Sequence, residues 1–380
     1  MTKSIYLDHA AATPVAPEVL AAMHPYYSGQ FYNPSATYAA AKSVASDVKA
    51  ARAKVARILG TRPSEIVFTA GGTEANNLAI HGVMSQYPDA NLVVSTIEHD
   101  SVLAAAKRHQ VRLAAVDERG IVDTSALEQL IDERTALVSI MYANNEIGTV
   151  QPLREIARSI ESIRKQRRQD GNKLPLLLHT DAAQAANYLD LHVARLGVDL
   201  MTLNGGKIYG PKQSGALYVK AGVMLSPLID GGGQEMGLRS GTENVPGVIG
   251  FATALELSQA IRHDEVSRLQ KLQADFIASL TTTVPSLRLN GSKTRRLPNN
   301  VHVTFPGIDN ERLLIQLDEA GIMAAAGSAC SASSELPSHV LHALGLTDQA
   351  AQSSVRFTLG RATTQHDLET VVQTLAKLLA

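Results

Sequence analysis

The chain has 380 residues, with 35 Lys and Arg against 36 Asp and Glu, for a formal net charge of -1. Hydrophobic residues at 45% and charged residues at 19% exclude a disordered chain and leave room for about two domains, while near-neutral charge, 4% aromatics and no tryptophan argue against a nucleic-acid partner. No apolar run approaches the roughly 18 residues of a membrane helix, no long apolar leader opens the chain, and one cysteine, Cys330, cannot form an internal disulfide, which together fit a reducing cytoplasm.

The first two-thirds alternates short apolar runs with longer amphipathic stretches. Strands are predicted over 65–69, 91–96, 111–116, 136–141, 174–179, 199–203 and 215–219. Helices are predicted over 73–85, from 101, over 125–131 and over 153–169. Nearly continuous apolar strands between helices indicate an α/β fold with a mostly parallel sheet covered on both faces, and ligands in such sheets sit at the carboxyl ends of the strands. Beyond Gly231 the texture changes. Helices over 246–262 and 264–281, a strand over 300–305 and a helix over 311–320 indicate a smaller α+β lobe. We expect a large domain at 14–255 and a small one made of 1–13 with 256–380, the latter carrying Cys330.

Several segments hold residues suited to chemistry. Gly71-Gly72-Thr73-Glu74 joins a predicted strand to a predicted helix, where exposed amides and a hydroxyl make an anion site, or else an ordinary capped turn. Asp181 follows another strand and either caps the next turn or faces the ligand crevice. Lys207 sits among small residues in Asn204-Gly205-Gly206-Lys207, a setting that suits a Schiff-base lysine as well as a surface loop. His99 lies just past a strand end, as an acid/base or a satisfied loop histidine. Residues 231–242 form a glycine-rich loop with one arginine that does not match a dinucleotide fingerprint. His339 and His342 are one helical turn apart with no third ligand at a metal-binding spacing, and read as helix-surface residues. The basic run Arg164-Lys165-Gln166-Arg167-Arg168 closes a helix, where cations complement the dipole. Cys330 lies in Gly327-Ser328-Ala329-Cys330-Ser331, a polar small-residue stretch that suits a reactive thiol better than a packed one.

Taken in order, Tyr6-Leu7-Asp8-His9, Asn33-Pro34-Ser35, residues 68–80, Glu98-His99, Asn144-Asn145-Glu146-Ile147-Gly148, residues 181–184, 207–211, 231–242, 327–330 and 354–361 resemble the pyridoxal-phosphate cysteine desulfurases of the NifS/IscS-like kind, within the class-V aminotransferase fold group. The resemblance implies a type I pyridoxal-phosphate transferase fold with a seven-stranded sheet, a homodimer, and conversion of L-cysteine to L-alanine with the sulfur left on Cys330 as a persulfide. It assigns Lys207 to the Schiff base and proton transfer, and Asp181 to the pyridinium nitrogen. Gln184 and Asn145 fall on the ring hydroxyl side, and His99 is stacked on the ring as acid/base. Gly72, Thr73 and Asn204 hold the phosphate, with Thr242 reaching in from the second subunit. Arg356 clamps the substrate carboxylate, with Asn33 nearby. The sulfur acceptor is a scaffold protein of iron–sulfur cluster assembly or a tRNA-thiolation protein. Selenocysteine lyase, another class-V aminotransferase activity and a non-catalytic member are the alternatives. No metal is implied.

Several positions depart from the pattern: Tyr38 stands where a histidine is expected after Asn33-Pro34-Ser35, Ala41 where a glycine usually follows, and the residues before the lysine are Asn204-Gly205-Gly206. The histidine that usually precedes the lysine and helps bind phosphate is Gly206 here. We expect Asn204, Thr73 and the backbone amides of the 204–206 turn to compensate, glycines at 205 and 206 letting that backbone approach the phosphate.

Overall fold

The structure, a computed structural model, describes residues 4–327 and 338–379. After a short strand β1 (Ile5–Tyr6), the apolar runs of the first two-thirds pair into one sheet. Its strands are β2 (Ile66–Thr69), β3 (Asn91–Ser95), β4 (Gln110–Ala114), β5 (Thr135–Ser139), β6 (Leu177–Asp181), β7 (Leu200–Asn204) and β8 (Gly215–Val219). The order is β2-β8-β7-β6-β5-β3-β4. Pairings from β7 to β4 are parallel, whereas β8 runs antiparallel to both of its neighbours, β2 and β7. The reason is length. Parallel neighbours need a crossover of about a dozen residues or more, and residues 205–214 are too few for one.

Apart from the edge strand β4, the strands are buried on both faces, with the period of two dividing their side chains between two cores. Val93, Leu178, Met201 and Leu203 enter one core, under the helices Ala39–Leu59, Leu153–Gln169 and Val245–Ala260. Leu92, Val94, Leu177 and Leu200 enter the other, under the helices Gly72–Gln86 and Asp100–Ala106. One expected strand is displaced: the segment read at 174–179 forms β6 at Leu177–Asp181. Pro175 has no amide to donate to a ladder, so the apolar run begins before pairing does. The displacement brings Asp181 to the end of the strand.

The last third builds a second layer. Strands β9 (Arg288–Leu289) and β10 (Asn300–Thr304), with β11 (Ile322–Met323) apart from them and β12 (Ser354–Thr358), give an antiparallel sheet in the order β12-β10-β9. The helices Arg262–Thr283, Asn310–Glu319 and Gln365–Leu378 cover it, around Phe276, Val303, Phe357 and Val371. The N-terminus joins this layer: β1 pairs in parallel with β11, and Ile5 and Leu7 enter the same core. Residues 255 and 256, where the domain division was expected, both lie within Val245–Ala260. Among the described residues no helix is long and apolar enough to cross a membrane.

Candidate active site

The parallel strands end along one edge of the large sheet, and a cleft opens there. Asp181 ends β6 and Gln184 follows it; Asn204 ends β7 and Lys207 follows that. Gly72 and Thr73 open the helix after β2, while His99, Asn145 and Arg356 complete the wall. The structure does not bring Asn33 or Thr242 into this cleft. Both are exposed, and Asn33 Oδ1 accepts the Ser35 amide at 2.9 Å. Cys330 lies outside the described residues.

One end of the cleft is built for an anion. Gly71, at φ +125°, turns the chain from β2 into the helix Gly72–Gln86, and no side chain caps that helix. Its first-turn amides, unpaired within any helix, therefore open toward the cleft with the positive end of the dipole. Opposite them, Asn204 Oδ1 accepts the Gly206 amide at 3.0 Å. That bond fixes the orientation of the Asn204 amide and turns Nδ2 toward Gly72, 3.3 Å from where a Cβ on Gly72 would stand. The turn 205–206 does not do what the sequence led us to expect. Its amides point away from the anion end: Gly205 donates to the Ser214 carbonyl at 2.8 Å and Gly206 to Asn204. Gly205 serves packing instead, since a Cβ there would stand 2.1 Å from Ser214 Oγ.

Residues 10–13 form a wall across the cleft. Lys207 Nζ donates to the Ala11 carbonyl at 2.5 Å, and Gln184 Nε2 to the Ala10 carbonyl at 2.9 Å. The Thr13 amide and hydroxyl both donate to the Gly206 carbonyl at 3.2 Å.

Behind the cleft a polar chain links the two groups expected to face a ring. Asp181 Oδ1 accepts the Ala183 amide at 2.9 Å, so it caps a turn and faces the crevice at once. Its Oδ2 accepts from Asn76 Nδ2 at 2.7 Å, and the same nitrogen donates to Ser101 Oγ at 2.9 Å. Ser101 Oγ lies 2.9 Å from His99 Nδ1, and the Ser101 amide donates to that nitrogen at 3.1 Å. With Nδ1 an acceptor, the proton of neutral His99 sits on Nε2. Sequence reasoning missed Asn76. Its signal was a polar residue on the buried face of an otherwise apolar helix, three positions after Thr73.

Two buried titratable groups stand beside this chain. Glu98 is fully buried, and desolvation, aided by the nearby Asp181 charge, pushes its carboxyl well above the usual range. Its Oε1 accepts the Met141 amide at 2.7 Å. His179 lies between Ser139 Oγ and Thr202 Oγ1, at 2.8 and 3.1 Å, and burial lowers its pKa to about 4.

Arg356 enters from β12 and is 1% exposed. Nη2 donates to Asp8 Oδ1 at 2.7 Å and Nη1 to the Asn145 carbonyl at 3.0 Å. Nε is buried with no hydrogen-bond partner among the described residues.

With this geometry in hand, the Aminotransferase class-V profile matches residues 5–371. The chain belongs to the class-V aminotransferase family. It is 38% identical to a protein named cysteine desulfurase IscS from Dictyoglomus turgidum, covering 100% of this chain and 95% of that one. It is 41% identical to the IscS cysteine desulfurase of Methanosarcina thermophila, covering 99% and 92% of the two chains. A solved structure titled NifS-like protein superimposes with a TM-score of 0.90 at 32% identity, over 99% of both chains.

Class-V enzymes work with pyridoxal phosphate, and the residues of this cleft fit it. An uncapped helix terminus faces the Asn204 amide at the anion end, a lysine amine opens into the middle, and a buried carboxylate held by Asn76 stands on the ring side. Pyridoxal phosphate bound there supplies an electron sink for bonds at the substrate Cα and Cβ.

The class-V site continues past the cleft through Glu146, which is buried beside Asn145. Ser338 Oγ donates to Glu146 Oε2 at 2.6 Å, and a Cβ on Gly327 would stand 3.2 Å from the same oxygen. The residues flanking 328–337 on both sides thus meet one buried carboxylate.

The other sequence signals resolve as structure. His339 is not a free surface residue: its Nε2 lies 3.0 Å from the Glu98 carbonyl, which ties the helix His339–Ala343 to the turn before His99. Among the described residues no group of three or more His, Cys, Asp or Glu is placed to hold a metal. In the basic run, Arg164 pairs with Asp199, Arg167 donates to the Thr135 carbonyl at 2.9 Å, and Arg168 pairs with Glu161 at 3.0 Å. In the glycine-rich loop, Arg239 pairs with Glu74 at 3.1 Å.

Proposed function

We propose that this class-V chain is a cysteine desulfurase, converting L-cysteine to L-alanine and leaving the sulfur on Cys330. One observation carries the reading. Lys207, Asp181 and Arg356 face a single cleft, and both flanks of the segment holding Cys330 meet the buried Glu146, next in sequence to Asn145 of that cleft. The names of the relatives support the same reaction.

The chain's residues divide the work. Lys207 would hold the cofactor through its amine and afterwards move the substrate α-proton. Asp181, oriented by Asn76, would pair with the ring nitrogen. His99 would stack on the ring as acid/base, and Gln184 and Asn145 would bond the ring hydroxyl side. Gly72, Thr73 and Asn204 would hold the phosphate. Arg356 binds the substrate carboxylate in a charge-assisted pair. The Cys330 thiolate attacks the substrate sulfur. The S–S bond forms as the Cβ–S bond breaks, Cβ keeps the electron pair, and a proton on Cβ completes alanine. Cysteine and thiol in, alanine and persulfide out, balance with no outside oxidant: the sulfur is oxidised as the carbon is reduced. An ordinary thiol with a pKa near 8.5 is only slightly ionised at neutral pH, so the site must favour the thiolate.

The working unit is a homodimer in which Thr242, exposed on its own chain, reaches the partner's phosphate site. Asn33 lies near the substrate carboxylate held by Arg356 in this reading. The large lobe, 14–255, carries the cofactor, and residues 1–13 with 256–380 carry the thiol. A cytoplasmic acceptor protein, a scaffold or a tRNA-thiolation protein, takes the sulfur.

The test is direct. Purified protein mixed with L-cysteine yields alanine and a protein-bound persulfide in equal amounts during the first turnover. Cys330→Ser keeps the cofactor and still changes its visible spectrum on adding cysteine, yet forms no persulfide. Alanine production by Cys330→Ser at the parent rate sinks the assignment of that thiol.

A further inference from the structure

The anion end of the cleft poses a problem of charge. A phosphate monoester carries about −1.5 to −2 at neutral pH. The donors placed around it so far are neutral: the first-turn amides and hydroxyl at Gly72 and Thr73, and the Asn204 amide. Position 206 has no side chain, and the amides of 205 and 206 are turned to Ser214 and Asn204.

An open cleft continues from this end past residue 206. Among the described residues lining it, the charged side chains are Glu74, Lys207 and Lys212. Glu74 is paired with Arg239. The Lys207 amine is the one that carries the cofactor in the reading above.

Lys212 is different in position. A Cβ on Gly206 would stand 3.5 Å from Asn204 Oδ1 and 3.7 Å from Lys212 Cγ, both ordinary contact distances. The lysine stem therefore runs beside the space that a side chain at 206 would use. Its Nζ donates to the Thr13 carbonyl at 2.9 Å, while Thr13 donates to the Gly206 carbonyl. The ammonium is thus pinned on the rim next to residue 206. An ammonium has three hydrogens to donate, so the bond to Thr13 leaves capacity for an anion.

We propose that Lys212 provides the positive charge for the cofactor phosphate in this chain, in place of a side chain at position 206. The proposal rests on the reading of the cleft as a pyridoxal-phosphate site. It replaces the expectation that the turn amides compensate for Gly206. A compact, strongly hydrated ammonium serves here as a point charge beside the phosphate.

The experiment compares two ligands that share the ring and differ in the phosphate. Affinities of the full-length chain for pyridoxal 5'-phosphate and for pyridoxal are measured by equilibrium dialysis at several salt concentrations. Lys212→Met should weaken pyridoxal 5'-phosphate roughly tenfold to a hundredfold, the worth of one charge-assisted bond. Pyridoxal binding should change less than about twofold, which also shows that the variant is folded. The salt dependence should become shallower than in the parent. Adding Gly206→His to Lys212→Met should restore most of the lost affinity, since a Cβ at 206 meets only ordinary contacts. Unchanged affinity for pyridoxal 5'-phosphate, or equal losses for both ligands, would overturn the assignment. A parent chain that binds neither ligand would instead sink the cofactor reading, and this proposal with it.

Discussion

Asn76 Nδ2 lies 2.7 Å from Asp181 Oδ2, in the interior of a helix whose buried face is otherwise apolar. The same nitrogen reaches Ser101, so one buried amide couples the Asp181 carboxylate to His99. Asn76→Leu keeps the volume and removes the donor. Losing a bond to a buried carboxylate costs about 1–3 kcal/mol. We expect thermal unfolding to fall accordingly, and alanine formation to drop about tenfold or more with cofactor content retained. Parent-level turnover with a shifted melting temperature would reduce Asn76 to a packing residue.

Lys207→Ala removes the amine that opens into the cleft beside the Ala11 carbonyl. Visible absorption from the bound cofactor and alanine production should both disappear, while circular dichroism stays that of the parent. Unchanged alanine formation would reject the role of Lys207.

Arg356 is the largest buried cation at the site, held by Asp8 and the Asn145 carbonyl. Lysine keeps its charge and loses the planar fork. Arg356→Lys should raise the KM for cysteine roughly tenfold to a hundredfold, the worth of a charge-assisted pair, with a smaller change in kcat. A loss confined to kcat would place the arginine elsewhere in the reaction.

Acid should weaken the fold before it dissolves any surface ion pair. Burial lowers His179 to about 4 and His302 to about 3, against about 6.5 in an unfolded chain. The unfolded state therefore binds more protons below pH ~6.5. Each such histidine takes about 1.4 kcal/mol per pH unit from stability until its folded pKa is reached. Glu98 acts in the opposite sense, since its raised folded pKa favours the fold most at low pH and loses that advantage as pH rises. The net expectation is a melting temperature that drops between pH 7 and 5. His302→Gln should flatten that drop, and an unaltered slope would exclude His302 as a source.

Much of the fold could be read from the sequence because its strands are unbroken apolar runs. The helices at Leu153–Gln169 and Arg262–Thr283 show their faces by spacing alone. The direction of β8 was legible in principle, since ten residues cannot make a crossover, but apolar runs by themselves carry no direction. The cleft was legible as a set of residue types after strand ends. The turn amides at 205 and 206 were not, because their direction depends on Ser214 and on the rotamer of Asn204, neither of which a motif specifies. Nor was the tie between His339 and Glu98, which joins positions 241 residues apart.

The strap at residues 8–13 has a mechanical consequence. Asp8 grips Arg356 through its carboxylate, and its carbonyl accepts the Ala11 amide at 3.0 Å. The Ala11 carbonyl in turn holds the Lys207 amine. A carboxylate arriving at Arg356 competes with Asp8 for the same cation. On the proposed roles, the group that receives the substrate carboxylate and the group that holds the cofactor are joined by one short turn of backbone, Asp8 to Ala11.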